Sequence, residues 1–369
     1  MKKLLLLLAI MASSQVSLAA GKYDNPDTIV VARDGTGQFR TIDEAIEVCR
    51  AFMDYHKVIF VKNGTYKEKL IIPSWLQNIE ICGEDAEKTI ITYDDHANIA
   101  RAETGKPMGT FRTYTLKIEG NDITLKNITI ENNSARLGQA VALHTEGDRL
   151  VFVGCRFIGH QDTVYTGVAG TRLYFKDCFI CGTTDFIFGP STAWFEGCTI
   201  ESRINSYVTA ASTPQDQPYG YIFNNCRLIA TPEATQVYLG RPWRDYGYTL
   251  FMNCELGSHI RPEGWHHWEK HREQTARYLE YNNRGAGANI SQRVPWSRQL
   301  TKKEAAKITP QTVFNTTRTF RLSAIEQPPM AKETRSYFSQ ALRICAIFSA
   351  TVSSDISVMI TENSSPPAR

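Results

Sequence analysis

The feature that most constrains this chain is a short cysteine-containing segment that recurs five times. Each copy has an aromatic residue at its second place, a cysteine at its fifth and an apolar residue at its seventh. The five copies are Val151–Phe157, Tyr174–Ile180, Trp194–Ile200, Ile222–Leu228 and Leu250–Leu256. Thr124–Ile130 is similar, with Ile128 in the cysteine position, and residues 78–81 form a weaker copy. Alternating apolar residues followed by Gly or polar residues are typical of a short strand and a turn.

The spacing of these copies predicts a solenoid. From Ile128 through the five cysteines, the intervals are 27, 23, 20, 28 and 28 residues. One short strand cannot bury its apolar face alone, whereas stacked copies bury a continuous core. Such intervals suit an all-β fold, a right-handed parallel β-helix with one coil per repeat and inserted loops on one side. The repeats cover about residues 75–260, so we expect one domain, although 369 residues would allow two.

The repeated cysteines are expected to point inward and to form a ladder of small buried side chains. The sequence has nine cysteines, and a mostly reduced stack is favoured over a disulfide framework, with one bridge between neighbouring coils left open. Cys178 and Cys181 have the spacing of a redox motif. They lie within a repeat strand rather than before a helix, so a redox function is not expected.

Both ends of the repeat region carry a helix-capping pattern. Thr41–Glu44 matches a capping box and predicts a helix that closes the first coil, whose edge would otherwise be open to aggregation. The apolar residues at helical spacing are Ile42, Ala45, Ile46, Cys49 and Met53. Thr301–Glu304 repeats the capping pattern and predicts a short helical segment near the C-terminal end.

The first 19 residues are typical of a secretory signal peptide. Lys2 and Lys3 precede the apolar run 4–11, and Ser17-Leu18-Ala19 before Ala20 supplies a cleavage site with small residues at 17, 19 and 20. The run is shorter than the roughly 20 apolar residues that span a membrane. We therefore predict an exported protein, periplasmic or secreted, with a signal peptide at 1–19, a β-helix catalytic domain at 24–315 and an unmatched tail at 316–369.

Composition excludes several classes of function. The chain is 42% apolar and 21% charged, which excludes a disordered polyelectrolyte and a multi-span membrane protein. Without Lys2 and Lys3, 39 basic residues stand against 38 acidic ones, so the net charge gives no case for binding nucleic acid or a membrane. The sequence also lacks a nucleophile elbow, a P-loop, a dinucleotide fingerprint and an EF-hand loop. His266 and His267 have no nearby Cys or Glu at metal-ligand spacing, so no metal site is expected.

The repeats locate a pair of carboxylates. Asp162 comes seven residues after Cys155, and Asp185 comes seven residues after Cys178, so both aspartates occupy one position in successive coils. Neighbouring parallel strands are about 4.8 Å apart, which predicts stacked carboxylates within roughly 5–6 Å. Two like charges that close favour one ionised and one protonated group. An ionised base or nucleophile beside a neutral acid is what acid–base catalysis requires, although a lone Asp after a strand is more often a turn residue.

Five other residues are candidates for the same site. The amides of Gln139 and Gln161 can stabilise an oxyanion, and Arg241 can hold a carboxylate ionised through two hydrogen bonds. Trp243 and Trp265 can stack on sugar rings, although core packing is an equally good interpretation for each.

Five motifs follow one another along the chain: Gly64–Glu68, Gln139–Leu143, Gln161–Thr163, Asp185–Gly189 and Leu239–Trp243. With the N-terminal segment Asp34–Ala45, they resemble the pectin methylesterase (pectinesterase) family, of the type exported by bacteria that degrade plant biomass. Each motif alone is weak, but five in order over about residues 28–310 are specific. The resemblance implies a right-handed parallel β-helix, no cofactor, and hydrolysis of the methyl esters of galacturonate units in pectin to pectate and methanol.

The resemblance also implies a role for each candidate residue. Asp185 would attack the ester carbonyl, and Asp162 would protonate the departing methanol and then activate water. Arg241 would orient Asp185 and keep it ionised. The remaining candidates would bind rather than react. Gln139 and Gln161 would hold the oxyanion, and Trp243 and Trp265 would line the sugar cleft. His160 departs from the family pattern, since many plant members carry Tyr there, which leaves one sugar contact and the pH optimum open.

Two other classes of function stay open on the sequence alone, another sugar-active β-helix enzyme and a non-catalytic binding solenoid. Carboxyls about 5 Å apart also suit a retaining glycosidase, and a pectate lyase would share the fold but would need an acidic calcium cluster that is not apparent. A non-catalytic binding solenoid would keep the repeats without needing Asp162, Asp185 and Arg241 together.

The expected partner is pectin, as methylated homogalacturonan, with no nucleic acid and no membrane. A monomer is expected because both ends of the solenoid are capped.

Overall fold

The computed structural model describes residues 21–269 and 271–314. The predicted signal peptide and the predicted tail lie outside the described residues. Within the described ranges, no helix combines the length and the apolar character that crossing a membrane requires.

In this part of the chain, the strands form three parallel sheets. The eleven-stranded sheet contains, in order of pairing, Ile29–Val31, Lys57–Val61, Ile79–Gly83, Thr124–Lys126, Leu150–Val153, Arg172–Lys176, Thr192–Glu196, Tyr221–Asn224, Tyr248–Met252, Arg277–Tyr281 and Arg298–Gln299. The eight-stranded sheet contains Gly64–Lys67, Thr89–Tyr93, Thr129–Asn132, Arg156–Ile158, Phe179–Gly182, Thr199–Ser202, Arg227–Ala230 and Glu255–Leu256. The seven-stranded sheet contains Leu70–Ile72, Leu116–Ile118, Leu143–Thr145, Val164–Thr166, Ile187–Gly189, Tyr207–Ala211 and Tyr238–Gly240.

Each coil passes through the eleven-stranded, the eight-stranded and then the seven-stranded sheet. Leu150–Val153, Arg156–Ile158 and Val164–Thr166 make one such coil, and each of these strands pairs in parallel with its counterpart in the next. Connections between parallel strands are right-handed in nearly all proteins. The all-β, right-handed parallel β-helix predicted from the repeats is therefore confirmed.

The aromatic residue at the second place of each repeat forms a continuous stack inside the β-helix. The five rings are those of Phe152, Phe175, Phe195, Phe223 and Phe251. All are fully buried, and neighbouring ring centroids lie 4.4–4.6 Å apart. Aromatic pairs add about 0.5–1.5 kcal/mol each beyond the burial of their area, so this stack ties successive coils together.

The repeat cysteines form a second inward column. The Sγ atoms of Cys155, Cys178, Cys198, Cys226 and Cys254 each lie 3.3–3.7 Å from a backbone carbonyl oxygen of the preceding coil. The eight cysteines within the described residues are all free thiols. The column therefore matches the expected reduced stack.

The residue before each repeat cysteine has a left-handed backbone. These residues are Gly154, Asp177, Gly197, Asn225 and Asn253, with φ between 52° and 63°. Gly, Asn and Asp tolerate this region better than other residues. The sharp turn from the eleven-stranded to the eight-stranded sheet thus explains why small or short polar residues recur at this place.

The N-terminal helix α1 (Ile42–Glu47) begins with the predicted capping box at Thr41. The carboxylate of Glu68 accepts further hydrogen bonds from the amides of Ile42 and Asp43, both at 3.0 Å. The apolar side of α1 packs into the core of the first coils, as predicted.

The helix is shorter than the spacing predicted, because it ends at Glu47. Met53 is still buried, but it comes directly after a turn that contains Phe52, whose φ is 55°. The apolar residues from Ile42 to Met53 therefore belong to two segments, the helix α1 and the chain after it, rather than to one helix.

The C-terminal part contains the short helices α2 (Lys302–Ala305) and α3 (Pro310–Val313), and α2 begins with the capping box predicted at Thr301. Among the described residues, 3-10 helices of three residues each occupy Thr110–Arg112, Arg272–Gln274 and Ala286–Ala288.

The column of Phe rings ends at a buried ion pair. Glu280 pairs in register with Phe251 and is 1% exposed. Its carboxylate accepts from Nε of Arg293 at 2.8 Å and from Nε1 of Trp265 at 3.3 Å. A buried charge is tolerated only when it is paired and hydrogen-bonded, as Glu280 is.

Candidate active site

Asp162 and Asp185 lie in the turn that leads from the eight-stranded to the seven-stranded sheet. The strands that follow them pair in register, with Val164 opposite Ile187. The two aspartates therefore hold one position in successive coils. Adjacent parallel strands are about 4.8 Å apart, so the two residues are neighbours along the β-helix.

The backbone of this turn is strained and well fixed. Asp162 has φ 68° and Asp185 has φ 51°, in the left-handed region that Asp tolerates. The hydroxyl of buried Thr163 shares its one proton between the carbonyl oxygens of His160 at 3.1 Å and of Cys181 at 3.0 Å. These bonds tie the two turns together and hold the aspartates in place.

Both carboxylates are buried, with 8% of Asp162 and 5% of Asp185 exposed. Burial raises the pKa of Asp162 well above its ordinary value, and the negative charge of Asp185 raises it further. Burial also raises the pKa of Asp185, but hydrogen bonding to Arg241 and its positive charge oppose this rise. The arrangement thus favours a protonated Asp162 beside an ionised Asp185.

Arg241 holds Asp185 through two hydrogen bonds. Its Nε donates to Oδ1 of Asp185 at 3.0 Å, and its Nη2 donates to Oδ2 at 2.7 Å. The guanidinium carbon lies 3.9 Å from the ring centroid of Tyr207 and 3.7 Å from that of Trp268. Arg241 is therefore fixed between two aromatic faces while it binds the carboxylate, which few side chains other than arginine can do.

Sequence reasoning missed Tyr207 and Trp268. Tyr207 pairs in register with Tyr238, and their rings stack with centroids 5.3 Å apart. That recurrence in successive coils is a signal that would have found Tyr207. Trp268 has a left-handed backbone, with φ 65°, and nothing in the spacing distinguishes it from Trp265 three residues earlier.

Gln139 and Gln161 are half-buried, just before the seven-stranded sheet. The amide N–H of Ala140 donates to the carbonyl oxygen of Gln161 at 3.0 Å, which places the two glutamines on neighbouring coils. In the described part of the chain, neither side-chain amide has a hydrogen-bond partner. Both amides are therefore free to donate to a bound group.

An aromatic surface adjoins the aspartates, and it consists of half-buried Tyr165 and Trp243, exposed Phe111 and buried Phe188. Tyr165 and Phe188, three residues after Asp162 and Asp185, stack with centroids 4.7 Å apart. The ring of Trp243 lies 5.8 Å from that of Phe188, edge to face. Trp243 thus belongs to this aromatic surface, and its role in binding a sugar ring stays a prediction.

The prediction that Trp265 lines a sugar-binding surface is wrong. Its side chain is 1% exposed, and its ring centroid lies 4.4 Å from that of Tyr278 and 5.9 Å from that of Phe251. Its indole N–H is used by Glu280, inside the core. A buried ring has no face to offer a ligand, and Trp268 is the tryptophan of this segment that reaches the site.

His160 is half-buried beside Gln161. Burial lowers its pKa, and the positive charges of Arg203 and Arg136 lower it further. The imidazole of His160 is therefore expected to carry no charge at neutral pH.

Over residues 21–269 and 271–314, no group of three or more His, Cys, Asp or Glu side chains is arranged to hold a metal ion.

The site thus combines a carboxylate that accepts two hydrogen bonds from arginine, a neighbouring carboxyl whose pKa is raised by burial, and two amides with no side-chain hydrogen-bond partner among the described residues. An ionised carboxylate is a competent nucleophile or base, a protonated carboxyl is an acid, and paired amide donors suit an oxyanion. This set fits acyl transfer from an ester.

Comparison with known proteins identifies the family. The family model "Pectinesterase" matches residues 28–317. The chain belongs to the pectinesterase family. A "Probable pectinesterase/pectinesterase inhibitor" of Brassica napus is 37% identical over 303 residues, which are 78% of this chain and 50% of that protein.

Solved structures of pectin methylesterases are also similar. The enzyme from carrot is 31% identical, with a TM-score of 0.75, over 84% of this chain and 98% of that one. A mutant pectin methylesterase in complex with a hexasaccharide is 31% identical, with a TM-score of 0.69, over 78% of this chain and 96% of that one.

The chain spans about half the length of most of the curated pectinesterase relatives it matches. These relatives come from Brassica and Arabidopsis. The expectation of a bacterial exported type therefore has no support from them, whereas the pectinesterase family itself is confirmed.

Proposed function

We propose that this chain hydrolyses methyl esters of galacturonate units in pectin, giving de-esterified pectate and methanol. The observation that carries the proposal is the carboxylate pair, in which Arg241 donates two hydrogen bonds to Asp185 while burial raises the pKa of Asp162, one coil away, well above its ordinary value. Membership of the pectinesterase family supports the same chemistry.

In the first half of the reaction, Asp185 is the nucleophile. One of its carboxylate oxygens attacks the ester carbonyl carbon, and the oxyanion that forms accepts hydrogen bonds from the amides of Gln139 and Gln161. The bond to the methoxy oxygen then breaks, and Asp162 gives its proton to that oxygen. Methanol leaves, and the substrate acyl group stays attached to Asp185 as an anhydride.

In the second half, Asp162 acts as the base. It is now ionised, and it takes a proton from a water molecule whose oxygen attacks the same carbonyl carbon. The bond to Asp185 breaks, Asp185 returns to its ionised state under Arg241, and the galacturonate leaves as a free acid. Both aspartates end in their starting protonation states.

Pectin is the proposed partner, as methylated homogalacturonan. The pectin methylesterase in complex with a hexasaccharide supports an oligosaccharide as ligand, and the Trp243 surface beside the aspartates is suited to a sugar ring. We also propose that the protein is a monomer that binds neither nucleic acid nor membranes. Size-exclusion chromatography with light scattering tests the oligomeric state.

Export is part of the proposal. The support is the leader in the sequence, with Lys2 and Lys3 before the apolar run 4–11. The proposed final location is the periplasm or the medium, and the bacterial exported type stays a proposal that the leader does not test. Fractionation of expressing cells, with N-terminal sequencing of the mature protein, tests cleavage after residue 19.

The deciding experiment measures methanol release from highly methylated pectin with a chelator present, while absorbance at 235 nm and reducing ends are followed. Methanol without new unsaturation or new reducing ends is expected. Chain cleavage without methanol would replace the esterase with a lyase or a glycosidase, and no product of any kind would favour a binding solenoid.

A matched pair of variants assigns the activity to the site. Asp185→Asn is expected to abolish methanol release. Asp177→Asn is the control, because Asp177 is also a left-handed turn aspartate of the same coil, with φ 52°, but it is exposed in the turn on the other side of the eight-stranded sheet. Equal loss in both variants would point to the fold rather than to the carboxylate pair.

A further inference from the structure

The arginines on the loops and strands around the candidate site differ in whether a carboxylate lies beside the guanidinium. Most have a carboxylate partner within 2.7–3.5 Å. These pairs are Arg241 with Asp185, Arg136 with Glu233, Arg203 with Glu201, Arg261 with Glu263, and Arg272 with Asp245 and Glu269. Their charges are therefore largely neutralised within the protein.

Arg244 is different. It is exposed, and within the residues that the structure describes no carboxylate lies in ion-pair distance of it. Its guanidinium carbon lies 4.6 Å from the ring centroid of Trp243, and its Nη1 donates to the carbonyl oxygen of Trp243 at 2.9 Å. The guanidinium is thus held over the ring by one hydrogen bond and one cation–π contact, with most of its N–H donors unused.

Arg112 also has no carboxylate partner among the described residues, and it follows Phe111 of the same aromatic surface. In that part of the chain, no ring and no backbone oxygen contacts its guanidinium to fix its position, whereas Arg244 is fixed beside Trp243. Of these two arginines without a carboxylate partner, Arg244 is therefore the better placed to bind a charged group of a ligand.

A fixed, unpaired guanidinium beside a sugar-binding ring suits a sugar that carries a carboxylate. Arginine donates two parallel hydrogen bonds to a carboxylate, a geometry that a methyl ester, with no negative charge, satisfies far less well. We propose that Arg244 binds the free carboxylate of a de-esterified galacturonate unit adjacent to the unit whose ester is hydrolysed. This proposal rests on the proposed function and adds a specificity-determining residue to it.

The consequence is a substrate preference. An ester that has a de-esterified neighbour on the Trp243 side gains the contact with Arg244, and a fully methylated chain does not. The effect is electrostatic, so it weakens at high ionic strength.

The first test measures binding of unesterified hexagalacturonate by titration calorimetry at low salt. Arg244→Gln is expected to weaken binding about fivefold, which is near the upper limit for an exposed ion pair. Arg244→Lys keeps the charge and is expected to recover part of the affinity. Arg227→Gln is the control, since Arg227 is exposed on the eight-stranded sheet and its loss changes the net charge by the same amount.

The second test compares kcat/KM for methanol release from a fully methylated hexagalacturonate and from one that is partly de-esterified. The wild-type enzyme is expected to prefer the partly de-esterified substrate, and the ratio of the two values is expected to fall about fivefold in Arg244→Gln. Sodium chloride at about 0.5 M is expected to reduce the wild-type ratio in the same direction.

Two results would overturn the inference: hexagalacturonate binding that is the same in wild type and Arg244→Gln, or an equal loss in Arg227→Gln. A wild-type enzyme that releases no methanol from either substrate would refute the proposed function instead. In that case the binding titration still reports whether Arg244 holds a carboxylate.

Discussion

The contact between Arg241 and Asp185 gives the most exacting test of the site. In Arg241→Lys the positive charge stays, but the planar fork and its two hydrogen bonds, at 3.0 and 2.7 Å, are replaced by a single ammonium group. Lysine also cannot stack between the rings of Tyr207 and Trp268 as guanidinium does. The ionised form of Asp185 therefore loses at least one charge-assisted hydrogen bond.

The size of the effect follows from that loss. A hydrogen bond to a charged group contributes about 2 kcal/mol, and about 1.4 kcal/mol corresponds to one pKa unit. Arg241 lowers the pKa of Asp185 against the raising effect of burial. The substitution is thus expected to raise the lower apparent pKa of the carboxylate pair by roughly one to two units.

The assay is the pH dependence of kcat/KM for methanol release. The nucleophile must be ionised, so activity is present above the pKa of Asp185 and is lost as the pH falls through it. A raised pKa moves this acidic limb to higher pH by roughly one to two units in Arg241→Lys.

The matched control is Arg261→Lys. Arg261 also lies over a tyrosine ring, at 4.8 Å from the centroid of Tyr238, and forms an ion pair at 3.2 Å, but its partner is Glu263. The acidic limb should stay in place in this control. An unmoved limb in Arg241→Lys, with activity retained, would refute the role given to Arg241 in keeping Asp185 ionised.

Three further outcomes are expected. Asp185→Asn abolishes turnover, and circular dichroism should show an unchanged fold; substantial remaining activity would remove it as the nucleophile. Asp162→Asn lowers kcat by about 10²–10⁴-fold, the usual contribution of acid–base catalysis, whereas a mild effect in single-turnover measurements would contradict its role as acid and base. Phe195→Ala lowers the free energy of unfolding by about 3–5 kcal/mol, because the ring is fully buried between Phe175 and Phe223. Denaturant titration measures this loss, and a change below about 1 kcal/mol would argue against the stack as a source of stability.

Much of the fold could be predicted because a solenoid is built from local repeats. The aromatic and cysteine positions of each repeat became the two inward columns, and the capping boxes at Thr41 and Thr301 became the starts of helices. The extent of α1 could not be predicted in the same way. Its apolar spacing continues to Met53, but the chain leaves the helix after Glu47 and reaches the core again through a turn.

The sequence by itself also determined the relation of Asp162 to Asp185. Equal spacing from Cys155 and Cys178 puts them in register, because each coil repeats the path of the one before it. The tertiary structure alone decided which groups surround that pair. Trp268 reaches Arg241 and Trp265 turns into the core, although both belong to one loop, because the direction of a side chain in an irregular segment depends on what packs against it. Repeat spacing describes neighbours along the β-helix, and it carries no information about loops that fold back over its surface.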